Sequence, residues 1–167
     1  TLNTINPSFV MGPGLKYHES SESYKSFIMI AGGELKSACP GLALGVVDVR
    51  DVAHAHVVAG FAEKATGRHI LSGSNTSFFG IAQALLPKYK DYPIPTFKAP
   101  FFIMYMIGPY IGGSLTREFI WNNMDVENNF DNSKSKQDLG IEYRSLPETM
   151  GDMMEQLIAE GVVNKSK

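Results

Sequence analysis

With 167 residues, 44% of them hydrophobic and 19% charged, the chain can bury one domain-sized core and has the composition of an ordinary soluble globular protein. A formal net charge of -2, with lysines and arginines scattered rather than clustered, excludes the basic footprint of a nucleic-acid binder. One cysteine, Cys39, excludes an internal disulfide and fits a reducing compartment; beside Pro40 it reads as a small, partly buried side chain rather than a nucleophile.

Residues 2–11, rich in Ile, Phe and Val and ending at Gly12-Pro13-Gly14, predict one strand running into a loop. A helix over 20–30 follows, with Ser20, Ser21 and Ser23 as amino-terminal caps and Gly32-Gly33 as its stop. Residues 44–49 predict a short strand passing into a helix near Asp51, which runs to about Lys64 with Val52, His56 and Ala59 on one side. After a turn at Thr66-Gly67, residues 68–72 read as a strand. Ser77 or Thr76 then caps a helix over 78–89 whose apolar stripe is Ile81, Leu85 and Phe78.

Three prolines make 91–100 extended or irregular. The apolar stretch 101–113 is shorter than the roughly 20 residues needed to cross a bilayer, so a helix in the core or over a ligand pocket is expected. The opening residues show no basic region followed by an apolar block, so no secretory leader is expected in them. A helix over 114–123 comes next. From Pro147 an amphipathic helix places Met150, Met153, Met154 and Leu157 at i, i+3, i+4 and i+7. The tail 164–167 should fray.

Alternating helices and strands argue for an α/β fold, yet only two or three convincing strands are present. Two motifs that carry nucleotide binding and proton transfer on many α/β folds are also missing. No two glycines have the Gly-x-x-Gly spacing that lets backbone amides approach a pyrophosphate. No tyrosine has a lysine four residues on, so none gains a helical neighbour suited to lowering its pKa for proton transfer.

Four short patterns stand in order: NPSFVMGPG over 6–14, VDVRDVAHAHVVA over 47–59, GRHILSG over 67–73, and FDNSKSKQDLGIEYRSLPETM over 130–150. Together they resemble the second half of an extended short-chain dehydrogenase/reductase, close to the dihydroflavonol-4-reductase-like branch of the NAD-dependent epimerase/dehydratase superfamily. The resemblance implies the C-terminal part of a Rossmann-type reductase, with an incomplete parallel sheet and a small, mostly helical substrate subdomain. Residues 1–14 and 66–90 would belong to the Rossmann sheet, and 15–65 and 91–167 to the substrate subdomain.

In such reductases the proline of the first pattern and its successor border the nicotinamide. The resemblance therefore assigns Pro7 and Ser8 to cofactor binding, with Phe9 close by; proline also shapes a strand end while carrying no amide hydrogen. A serine opening the next helix approaches the cofactor as well. Ser23 fits its offset from Gly33 best, with Ser20 and Ser21 competing. Met104, Tyr105 and Met106 stand where the family draws its substrate pocket, with core packing as the rival role for each.

Asp48, Arg50 and Asp51 can hold a substrate, but capping and tying strand to loop is the favoured role. His54 and His56 face different directions on a helix, and the sequence carries no metal-ligand spacing. Arg68-His69 reads as a surface or strand-edge pair.

The expectation is a reductase acting on a ketone or aldehyde substrate with NADP (or NAD), which binds only in the context of a missing N-terminal Rossmann half. This chain supplies the substrate lid and one nicotinamide wall, carries none of the catalytic residues, and is inactive alone. Expected partners are the carbonyl substrate and the missing half, with room for a homodimer and with no nucleic acid or membrane; the expected location is cytoplasmic. The alternatives are a sugar-nucleotide epimerase or dehydratase, and a non-catalytic binding or assembly module derived from the same fold.

Overall fold

The computed structural model of the chain describes residues 2–62, 65–111 and 115–165. The expected strand over 2–11 is split at Ser8 into β1 (Asn3–Pro7) and β2 (Phe9–Met11). β1 runs parallel to β4 (Gly67–Leu71), whereas β2 runs parallel to β3 (Ala43–Asp48). The chain thus changes sheet at one residue, and the Ser8 amide closes the β1–β4 ladder by donating to the Leu71 carbonyl at 2.8 Å. A further strand, β5 (Ser74–Ser77), pairs antiparallel with β3. In SNTS only Thr76 is a strand-favouring residue; the ladder with β3 imposes the rest.

Helices cover these strands. They are α1 (Glu22–Ala31), α2 (Val49–Phe61), α3 (Phe78–Leu85), α4 (Phe101–Ile111), α5 (Arg117–Asn123), α6 (Ser133–Leu139) and α7 (Leu146–Ala159). Their starts follow local chemistry. Ser21, Asp48, Ser77, Thr116 and Ser145 each accept a backbone amide of the first turn, satisfying one of the donors that a helix start leaves open. α3 stops at Leu85, earlier than the expected 89, and the 86–89 segment continues as a turn. The start of the helix expected over 114–123 and the ends of those expected to reach 64 and 113 lie outside the described residues, as do residues 166–167 of the tail.

β3 has both faces covered, as a parallel strand requires. Val46 enters a cluster with Met11, Phe27, Ile30, Ile81, Leu85, Met150, Met153, Met154 and Leu157, drawn from β2, α1, α3 and α7. Val47 enters a second cluster with Ala55, Ala59, Leu71, Leu139 and Ile141, against α2 and α6. Ala99, Met104, Ile120 and Met124 form a third, smaller cluster around α4 and α5.

Three expectations are corrected. The buried side of α2 is Asp51, Ala55 and Ala59, while His56 is exposed and its Nδ1 lies 2.8 Å from the Val52 carbonyl. His69 is fully buried rather than at a surface or edge. It shares the helix-covered face of β4 with Leu71, and its Nε2 lies 3.1 Å from an Asp138 carboxylate oxygen on α6. Of the two places expected for α4, in the core or over a ligand pocket, the first is corrected, because Met104 and Gly108 alone are buried along it. No helix among the described residues is long and apolar enough to cross a membrane.

Candidate functional site

In open α/β sheets ligands bind beyond the carboxyl ends of parallel strands. Here β1 ends at Pro7 and β4 at Leu71, so Ser8 and Ser72 stand one step past the paired ends. Both hydroxyls are buried without a hydrogen-bond partner among the described residues. They differ in surroundings. A Cβ placed on Gly45 would fall 2.7 Å from Ser72 Oγ, so that hydroxyl packs between strands. Ser8, only partly buried as a residue, keeps an unused hydroxyl beside exposed Pro7. A buried hydroxyl without a partner costs free energy unless something supplies one.

Pro7, Ser8 and Phe9 are consecutive on the split strand, and Phe9 packs against the main core. Ser23, in the first turn of α1, donates its hydroxyl to the Val10 carbonyl at 2.7 Å. Pro7, Ser8 and Phe9 thus adjoin along the chain, and the Ser23 hydroxyl ties α1 to the same strand one residue past Phe9. Met104 and Tyr105 are in a different cluster. Met104 packs with Ala99, Ile120 and Met124. The Tyr105 ring stacks on Phe101 at 5.9 Å, meets Trp121 edge-on at 6.2 Å and carries Arg117 over its face at 5.9 Å.

Asp48, Arg50 and Asp51 form braces. Asp48 caps α2 through the Arg50 amide at 2.8 Å and receives the Arg50 guanidinium through both oxygens, at 2.9 and 2.7 Å. Burial on its own would raise the Asp48 carboxyl; the hydrogen bonds and charge of Arg50 outweigh it and leave the pKa below the ordinary carboxylate value. Arg50 also reaches Asp152 on α7 at 2.7 Å. Asp51, 3% exposed, accepts the Arg144 amide at 2.9 Å and pairs with the Arg144 guanidinium. Sequence pattern did not reveal Asp152 or Arg144 as partners, because they lie about a hundred positions away.

Cys39 is fully buried, and burial pushes its thiol up to about 12, which leaves it inert as a nucleophile. Among the described residues there is no cluster of His, Cys, Asp and Glu able to hold a metal.

Beside β1 an open groove of about 460 Å³ is lined by Asn3, Thr4, Ile5, His56 and Gly60. β1 has one strand partner, β4, among the described residues. Thr4, Arg68 and Ile70, on the β1–β4 face turned away from α2 and α6, are exposed. The pair is thus unfinished as a parallel sheet, along one edge and over one face.

No protein-family model matches the chain. Curated proteins and solved structures do. Cinnamoyl-CoA reductase 1 of Arabidopsis thaliana is 29% identical over 160 residues, which cover 96% of this chain and 40% of that protein. The NADPH-dependent methylglyoxal reductase Gre2 of Saccharomyces cerevisiae is 28% identical over 163 residues, 94% of this chain and 43% of that protein. The crystal structure of Gre2 from Candida albicans in complex with NADPH superposes with a TM-score of 0.62 at 26% identity, over 93% of this chain and 43% of that one.

The chain is similar to extended short-chain dehydrogenases/reductases in both sequence and fold. The likeness is to their dihydroflavonol-reductase-like side, and its α/β fold is theirs. It spans about two fifths of the length of the curated relatives it matches.

Proposed function

We propose that this chain is the C-terminal, substrate-side part of a nicotinamide-dependent carbonyl reductase. Residues 1–14 and 66–90 are its share of the Rossmann sheet, and 15–65 and 91–167 form the substrate subdomain. The observation that carries the reading is Ser8: a buried hydroxyl without a partner, just past the carboxyl end of a parallel strand whose other edge is open. Those features fit a site completed by another stretch of polypeptide and a polar ligand.

In this reading Pro7, Ser8 and Phe9 border the nicotinamide, and Ser23 holds helix α1 against that border through Val10. The bound cofactor, NADP or NAD, supplies the hydride for carbonyl reduction. The remaining segment supplies the glycine-rich loop for the diphosphate, the proton-donating tyrosine and its lysine. Met104 and Tyr105, on an arm rich in apolar surface, contact the carbonyl substrate. Reduction of a small or aromatic ketone or aldehyde agrees with the activities for which the methylglyoxal and cinnamoyl-CoA reductases it resembles are named.

The test is titration of the 167-residue chain with NADPH by fluorescence or calorimetry, beside the same titration of a polypeptide that also carries the preceding segment. No binding by the chain and micromolar binding by the longer protein are expected. Micromolar binding by the chain alone would contradict the division of labour. A second reading, an assembly module that has kept the reductase fold, is favoured by the exposed apolar side of α4.

A further inference from the structure

The loop from β2 to α1 contains Gly12, Pro13 and Gly14, a composition that does not hold its own shape, yet its backbone is gripped at three points by the last helix. The Gly12 amide donates to Met153 Sδ at 3.4 Å. The Gly14 amide lies 2.9 Å from both Gln156 Oε1 and the Tyr24 hydroxyl, and that hydroxyl donates in turn to the same Gln156 oxygen at 2.9 Å. Gln156 Nε2 donates to Glu160 Oε1 at 2.8 Å, and the second Glu160 oxygen accepts the Tyr17 amide at 2.9 Å. A Cβ at position 14 would fall 2.7 Å from the Tyr24 hydroxyl, so a side chain there would push that hydroxyl aside.

Apart from the buried Gly12–Met153 bond, these bonds are partly or fully exposed and contribute little to global stability. Their geometry is more informative. Gln156, in the last turn of α7, and Glu160, the residue capping its carboxyl end, are four positions apart, and together they hold two backbone amides three residues apart in the loop. That loop joins the strand bearing Pro7, Ser8 and Phe9 to the helix bearing Ser23.

We infer that Gln156 and Glu160 are positioning residues: neither touches the cofactor border itself, yet through them α7 sets the path of the loop and so the placement of the nicotinamide wall against helix α1. The inference rests on the reading of Pro7, Ser8, Phe9 and Ser23 as that border.

Two measurements test it, one on the 167-residue chain and one on the longer reductase. In the chain, Gln156→Met should speed amide hydrogen exchange at Gly14 and Tyr17 by roughly fivefold to tenfold, with the melting temperature nearly unchanged. In the reductase it should raise the KM for the nicotinamide cofactor several-fold while kcat stays within about twofold, since ground-state binding geometry is what is lost. The exchanged pair Q156E/E160Q rebuilds every bond. The carboxylate then at position 156 accepts from Gly14, from Tyr24 and from the side-chain amide at position 160, whose oxygen accepts from Tyr17. The pair should restore both readouts, whereas Gln156→Glu alone places two like charges one turn apart and should not. Unchanged exchange, or a double variant as impaired as Gln156→Met, overturns the inference. So does faster exchange with an unaltered cofactor KM, which would leave a purely structural clamp. A wild-type reductase that binds no nicotinamide cofactor sinks the functional reading itself, and the positioning role with it, whatever the exchange shows.

Discussion

Helix α7 sends Met150, Met153, Met154 and Leu157 into the main core, each no more than 1% exposed. Helix α4 has no charged residue, yet leaves Phe102, Ile103, Met106, Ile107, Tyr110 and Ile111 in solvent. The two differ in pattern rather than in apolar content. α7 alternates apolar and polar residues with the helical period, so one face is marked for burial and the other for water. α4 is apolar all round, and such a helix carries no mark of which side meets its neighbour. It buries the side that α5 can cover, through Met104 and Gly108, and displays the rest.

The largest expected effect separates these helices directly. Leu157→Ala removes a fully buried side chain from the α7 face and should cost about 2–5 kcal/mol in urea unfolding. Ile107→Ala on α4 should stay within about 0.5 kcal/mol, as expected for a half-exposed site. An equal loss at the two positions would break the contrast and mean that the outer side of α4 is covered in solution.

The same contrast between pattern and context governs what could be foreseen. The burial of α7, the cap at Ser77 (one of two residues expected to supply it), the strand at β4 and the irregular 91–100 segment follow from local chemistry and were legible. β5 was not, because Ser74–Ser77 becomes a strand only by pairing with β3. The burial of His69 was hidden too: its position on the covered face of β4 depends on α6 arriving 69 residues later with Asp138. At the candidate site, the family pattern pointed to Pro7, Ser8 and Phe9. Nothing in it disclosed that the Ser8 hydroxyl would be buried and unpartnered, or that Gln156 and Glu160 would hold the loop beyond, since those facts exist only once α7 has packed.

The braces at the start of α2 should have intermediate effects and sharpen the view of α7 as an anchored element. Asp51→Ala strips the partner from Arg144, leaves its amide unmet and should cost about 2–3 kcal/mol; this is below the full cost of a buried pair because Arg144 can rehydrate. Asp48→Asn keeps a competent cap but weakens the tie through Arg50 to Asp152 on α7, and should cost about 1–2 kcal/mol at pH 7. The Asp48 carboxyl titrates lower in the folded chain than its ordinary value of 3.8, so its contribution is complete above that value and is lost as pH falls through the folded pKa. Stability curves of the wild type and Asp48→Asn should therefore run apart at neutral pH and converge below about pH 4. Parallel curves throughout would show that the carboxyl's charge is not what the brace uses.

The smallest stability effect is expected where the surface consequence is greatest. Replacing Ile103 and Ile107 together by Gln retains helix-forming residues while breaking the continuous apolar side of α4. Unfolding free energy should move by no more than about 0.5 kcal/mol, because neither side chain is in a buried cluster. Association should respond instead. Light scattering of the wild-type chain should show growth of large species with concentration, and the double variant should remain at lower mass under the same conditions. If the wild type instead forms a discrete, stable oligomer that the double variant dissolves, the α4 side is an interface built for a partner, and the assembly reading gains over the reductase-part reading. If neither protein associates, the apolar side is small enough to be carried in water. The contrast between α7 and α4 then reduces to one of packing alone, because an unmarked helix would have settled against whichever neighbour the fold offered.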